Sequence, residues 1–152
     1  MTRFQSYMED ALACARAARD RGEVPVGAVI VAPDGQILAR AGNRVRELSD
    51  PTAHAEILAL RAACMAVGQE RLTNHDLYVT LEPCPMCAAA ISQARIGRLY
   101  YGASDPKSGG VAQAPRVFSH PQCHHRPEVY DGIAAVESER LLRAFFAGLR
   151  RT

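Results

Sequence analysis

Four residues in two short segments have side chains whose types and spacing could do chemistry together. One segment is Thr52-Ala53-His54-Ala55-Glu56, and the other is Glu82-Pro83-Cys84-Pro85-Met86-Cys87. Cys84 and Cys87 stand three apart, so on a helix their thiols share one face. At a helix start, free backbone N–H groups and the positive end of the dipole favour the thiolate, the form that binds a metal. His54 offers a third donor from the start of another helix. Two sulfurs and an imidazole suit zinc best among divalent ions. Three protein donors leave a tetrahedral ion one open position, which a structural site would close with a fourth Cys or His. An open position admits water, whose pKa zinc lowers to about 7. Glu56, two residues after His54, fits poorly as a fourth ligand and well as a general acid/base. Together these groups suffice to displace ammonia hydrolytically from an amidine-like carbon. A lone Cys-x-x-Cys would say far less, because redox motifs and halves of zinc ribbons share it.

The elements that must position these residues follow from periodicity. Residues 7–21 carry Met8, Ala11, Leu12, Ala15 and Ala18 at helical spacing, with Gly22 as terminator. Residues 24–32 (VPVGAVIVA) form an almost unbroken apolar run, as in a strand buried on both faces. A Pro33-Asp34-Gly35 turn joins it to a second strand over 36–42, making a hairpin. Residues 43–50 read as a loop. A helix over 53–67 has Ile57, Leu60, Cys64 and Met65 on one side. Strands are expected at 77–81 and 98–102, with a helix from Pro83 to about Ala94 between them. Residues 103–127 form a long Gly-, Pro-, Ser- and His-rich loop, a length usually functional or disordered. Residues 128–130 suit a short edge strand, and 136–149 an amphipathic helix. This order predicts a three-layer α/β/α domain spanning residues 1–152, with a mixed central sheet of about five strands and helices on both faces.

Bulk properties narrow the class further. The chain has 152 residues, 48% hydrophobic and 22% charged, as in a globular protein with a sizeable core. No run approaches the roughly 18 apolar residues of a membrane helix. The first 22 residues contain Glu9 and Asp10 and have no apolar core, so they do not read as a signal peptide and a cytoplasmic location is expected. Five cysteines, an odd count, do not suggest a disulfide framework. A net charge of +2 does not by itself call for nucleic acid, although 17 of the 18 basic residues are Arg, the side chain suited to phosphate and base contacts.

H-x-E followed by P-C-x-x-C is a known signature of zinc-dependent base deaminases. The likeness extends beyond it. Residues 23–29 (EVPVGAV), 50–57 (DPTAHAEI), 77–84 (LYVTLEPC), 95–98 (RIGR) and 101–107 (YGASDPK), with Phe145-Phe146, resemble the bacterial tRNA-specific adenosine deaminases. These belong to the cytidine deaminase-like zinc deaminases. The resemblance covers nearly the whole chain. It implies the cytidine deaminase-like fold and conversion of the wobble adenosine, position 34 of a tRNA anticodon, to inosine. It also implies one zinc ion per subunit and a homodimer with the site near the subunit interface. Residue by residue, it implies His54, Cys84 and Cys87 as zinc ligands and Glu56 as the acid/base. Asn43 matches the residue that hydrogen-bonds the flipped base. The backbone N–H groups of Ala55 and Cys84, with Glu82-Pro83, would line the pocket, while Asp105 and Lys107 would contact the anticodon loop. The chain departs from the enterobacterial pattern over residues 108–123, and it stops at Arg150-Arg151-Thr152 without a longer basic tail. Both regions would touch RNA outside the pocket.

Several residues admit two readings. Asn43 suits a turn as well as a base contact. His120, Cys123, His124 and His125 could suggest a second metal, but read better as a substrate-facing or solvated loop. Arg44, Arg46 and Lys107 could rim a phosphate site or be solvated charges. Of Phe145 and Phe146, at least one should pack in the core and the other could lie beside RNA. Cys14 and Cys64 read as inert core thiols. Two other functions compete: deamination of a free base or nucleoside of guanine or cytosine type, and a non-catalytic RNA-binding or structural zinc protein. The Asp105-Pro106-Lys107 segment argues against the first, and Glu56 with the open fourth position against the second.

Overall fold

The computed structural model describes residues 5–150, so Arg151 and Thr152 lie outside the described residues. Five strands form one mixed sheet in the order β2-β1-β3-β4-β5. They are β1 (Gly27–Val31), β2 (Ile37–Gly42), β3 (Asp76–Leu81), β4 (Arg98–Ala103) and β5 (Glu128–Tyr130). β1 pairs antiparallel with both β2 and β3, whereas β3–β4 and β4–β5 are parallel. The hairpin turns on Gly35, at φ 89°, with Asp34 accepting the Gln36 N–H.

Helices cover both faces. α1 (Met8–Asp20) and α5 (Ala135–Arg150) pack on one, and α3 (Ala55–Val67) with α4 (Pro85–Gln93) on the other. All five residues of β1 are buried, which explains the unbroken apolar run. The period-2 alternation of a strand then sorts side chains between two cores. Ala28 and Ile30 join Leu77, Val79, Leu99 and Tyr101 under α3 and α4. Val29 and Val31 join Met8, Leu12, Tyr78 and Tyr100 under α1. Tyr78, Tyr100 and Tyr130 are direct register partners. Their rings stack across three strands, with centroids 4.3 and 5.0 Å apart. Gly27 lets α1 settle against the sheet, because a Cβ there would overlap the Ala11 carbonyl and the Ala15 nitrogen.

The three-layer α/β/α expectation holds, with differences at boundaries. Residues 24–26 precede β1 in a tight turn in which Val26 N–H donates to Val24 O at 2.8 Å. The expected loop at 43–50 contains a one-turn helix, α2 (Val45–Leu48). Its amides at Arg46 and Glu47 are held by the buried Glu23 carboxylate at 3.1 and 2.9 Å, a distant partner that local propensity cannot reveal. α4 begins at Pro85, not Pro83, with Cys84 as its N-cap.

Candidate active site

The parallel strands β3 and β4 deliver their chains to one end of the sheet, the usual place for ligands in open α/β sheets. β3 leads through Glu82-Pro83 to Cys84, the N-cap of α4, whose extended backbone has φ −69° and ψ 171°. Pro85 follows at a position where its missing N–H costs nothing. Cys87 lies within the first turn of α4 and is fully buried. His54 is the N-cap of α3, with φ −72° and ψ 152°. Two helix N-termini therefore converge on the three donors, and both dipoles favour negative sulfur there.

The donor atoms of His54, Cys84 and Cys87 lie within 4.8 Å of one another, the one group of this kind among the described residues. His54 Nδ1 is 3.7 Å from Cys84 Sγ and 3.5 Å from Cys87 Sγ. A tetrahedral zinc ion with ordinary Zn–N and Zn–S bonds holds nitrogen and sulfur about 3.6 Å apart. The donor set thus fits zinc, with Nδ1 as the imidazole ligand atom.

Charge in the site is arranged unevenly. A hydrogen bond from the Cys87 thiol, with help from His54, brings Cys84 down to about 4 against the effect of burial. Cys87 is pushed upward by the same hydrogen bond and by burial. His54 is raised, first by its hydrogen bond to Cys84. Glu56, in the first turn of α3 and 4% exposed, is raised to about 7, chiefly by burial. A carboxyl in that range gives and takes protons near neutral pH.

Asn43, His54, Glu56, Glu82, Cys84 and Asp105 share the lining of a cavity of about 330 Å³. Asn43, 9% exposed, turns its Oδ1 toward α3 and accepts the Ala55 N–H at 2.8 Å. It thereby satisfies a free donor at the helix start. The Ala55 N–H is spent inside the protein, and the Pro83 carbonyl likewise accepts Gly110 N–H at 2.8 Å. Asp105 folds back on itself, its Oδ1 accepting the amides of Lys107 and Ser108. Lys107 is exposed and stands on a second, adjoining cavity of about 700 Å³ with Arg143 and Phe146.

The remaining residues are placed as follows. Arg44 pairs with Glu47 at the surface, and Arg46 lines the first cavity. Phe145 is half-buried and Phe146 exposed, while Leu141 and Leu142 pack against the cores. The loop carrying His120, Cys123 and His125 is latched to the body of the protein. His125 Nε2 donates to Ile96 O at 2.7 Å, and Ser92 Oγ and Cys123 Sγ both donate to His125 O. Cys14 and Cys64 are half-buried, and burial raises both thiols. Sequence reasoning missed Glu23, and it placed Glu82 only at the pocket wall. An acid inside an otherwise apolar or proline-flanked segment was the available signal for both.

Three donors gathered at two helix starts, with the buried Glu56 carboxyl on the same cavity, are the groups a zinc-binding deaminase domain would need. Residues 1–103 match the cytidine and deoxycytidylate deaminase zinc-binding region, and the chain belongs to that family. It is 64% identical over 140 residues to the tRNA-specific adenosine deaminase of Agrobacterium fabrum, covering 92% of this chain and 91% of that one. A solved structure from work on A-to-I editing by tRNA:A34 deaminases at the wobble position of transfer RNA superposes with a TM-score of 0.87. It is 63% identical and covers 90% of this chain and 98% of its own. A guanine deaminase from Bacillus subtilis is 31% identical with a TM-score of 0.66, over 99% of this chain and 96% of its own. No described helix is long and apolar enough to cross a membrane.

Proposed function

We propose that this chain hydrolytically deaminates adenosine to inosine at position 34, the wobble position, of a tRNA anticodon. One observation carries the reading: the His54, Cys84 and Cys87 donors, with Glu56 beside them, sit in a chain 64% identical to a tRNA-specific adenosine deaminase. His54 Nδ1 and the two thiolates hold one zinc ion per subunit. When bound, zinc supplies an activated water at neutral pH. Glu56 takes one proton of the attacking water at its carboxylate and passes it to the ring nitrogen, then takes the second from the new hydroxyl on the reacting carbon and passes it to the leaving amine. Its burial supports that role by keeping the carboxyl near 7.

Asn43 orients the base through Nδ2, its Oδ1 being committed to Ala55. Ala55 and Pro83 shape the pocket through backbone groups already bonded within the protein. Asp105 and Lys107 meet the anticodon loop at the rim. A single-stranded anticodon base can be splayed into such a pocket at low cost. The chain acts in the cytoplasm as one deaminase domain over residues 1–152, and as a homodimer. Met65 on α3 and Met86 beside Cys87 are exposed apolar side chains that a second copy would cover.

The 31% identity to a guanine deaminase favours a second reading, deamination of a free base. Its lower TM-score, 0.66 against 0.87, ranks it below the first. Incubation with an anticodon stem-loop carrying A34, and in parallel with guanine, cytosine and adenosine, separates the two. Inosine in the stem-loop is the expected result. Turnover of a free compound alone overturns it.

A further inference from the structure

Glu82 is 2% exposed, yet none of the ion pairs among the described residues involves it. A carboxylate so placed persists only when its oxygens are hydrogen-bonded. Every such bond comes from one stretch of chain. Oε1 accepts the Asp105 N–H at 3.1 Å and the Gln113 side-chain amide at 3.4 Å. Oε2 accepts the backbone N–H groups of Val111, Ala112 and Gln113 at 3.2, 2.9 and 3.3 Å. The loop is pressed against this carboxylate. A Cβ at Gly109 would overlap it, and one at Gly110 would lie 2.6 Å from Pro85 N. The segment so held carries Asp105 and Ser108, which line both adjoining cavities, and Lys107, which lines the larger.

We propose that Glu82 is a positioning residue for substrate recognition. Its carboxylate folds residues 105–113 into the wall that presents Asp105, Lys107 and Ser108, and it takes no part in holding metal or moving protons. The role in recognition rests on the RNA-deaminase reading above, whereas the folding of the loop does not. The backbone amides converge on two carboxylate oxygens. An amide side chain offers one acceptor and turns an NH2 group toward donors. E82Q should therefore release the loop with little change in volume.

The test uses the zinc-loaded protein. In E82Q, hydrogen exchange at the amides of Asp105, Val111, Ala112 and Gln113 should speed up at least tenfold, while β3 and β4 amides keep their protection. KM for the A34 stem-loop should rise at least tenfold, with kcat within threefold and zinc content unchanged. Gly109→Ala keeps the carboxylate but wedges the loop away from it, and should reproduce the same split. Unchanged loop exchange, a fall in kcat at constant KM, or a uniform loss of protection across β3 and β4 would each overturn the proposal. Exchange is read without RNA. A wild-type protein that leaves the stem-loop unmodified would therefore sink the substrate assignment, while undisturbed exchange in E82Q would sink this one.

Discussion

Asn43 Oδ1 accepts the backbone N–H of Ala55 at 2.8 Å, tying the end of the hairpin to the first turn of the helix that carries His54 and Glu56. The side chain thus serves stability with its oxygen, and in the proposed function its nitrogen is the group that meets the base. Asn43→Ala leaves a buried donor unpaired and should lower unfolding free energy by about 1–3 kcal/mol. Asn43→Asp keeps the acceptor but loses the Nδ2 donor. Its melting temperature should stay near that of the parent while kcat/KM falls at least tenfold. Equal melting temperatures for the two variants would contradict the division of labour.

Glu56 is buried in the first turn of α3 and held near 7 by its surroundings. Glu56→Ala should retain zinc by elemental analysis and lose about 10²–10⁴-fold in turnover, the usual contribution of a positioned acid/base. A variant turning over at close to the normal rate would remove Glu56 from proton transfer.

Cys87 is the fully buried member of the donor set. Cys87→Ala should abolish stoichiometric zinc. Because a ligand binding only the native state stabilises it by about 2.7 kcal/mol at 100 times its Kd, chelation should lower the wild-type melting temperature measurably. The same chelator should leave Cys87→Ala unchanged. A chelator-sensitive melting curve in the variant would contradict the ligand assignment.

Burial raises the Tyr101 hydroxyl from 10.0 to about 12. The folded state therefore keeps a proton that the unfolded chain releases above pH 10. The stability contributed by the neutral, buried phenol is complete below pH 10 and is lost as pH rises toward 12. Denaturant midpoints should fall across that window, and Tyr101→Phe should fall less steeply. Parallel slopes for the two proteins would show that Tyr101 is not the group responsible.

Much of the protein was legible in local pattern. The unbroken apolar run reads as a doubly buried strand because both faces of β1 are covered. The helical spacing of Met8, Ala11, Leu12, Ala15 and Ala18 reads as α1 because those five positions form its buried stripe. The donor set was legible too, since three-residue spacing at a helix start dictates which thiols can meet.

What tertiary structure decided is what depends on partners far apart in the chain. Glu23 holds amides 23 and 24 residues away, and Glu82 holds amides between 23 and 31 residues away. Neither set of partners leaves a trace in periodicity: an acid in an apolar or proline-flanked segment can signal burial, but not which distant amides satisfy it. For the same reason Asn43 could be read as a turn residue or a base contact, and only the folded chain shows its oxygen already committed to Ala55.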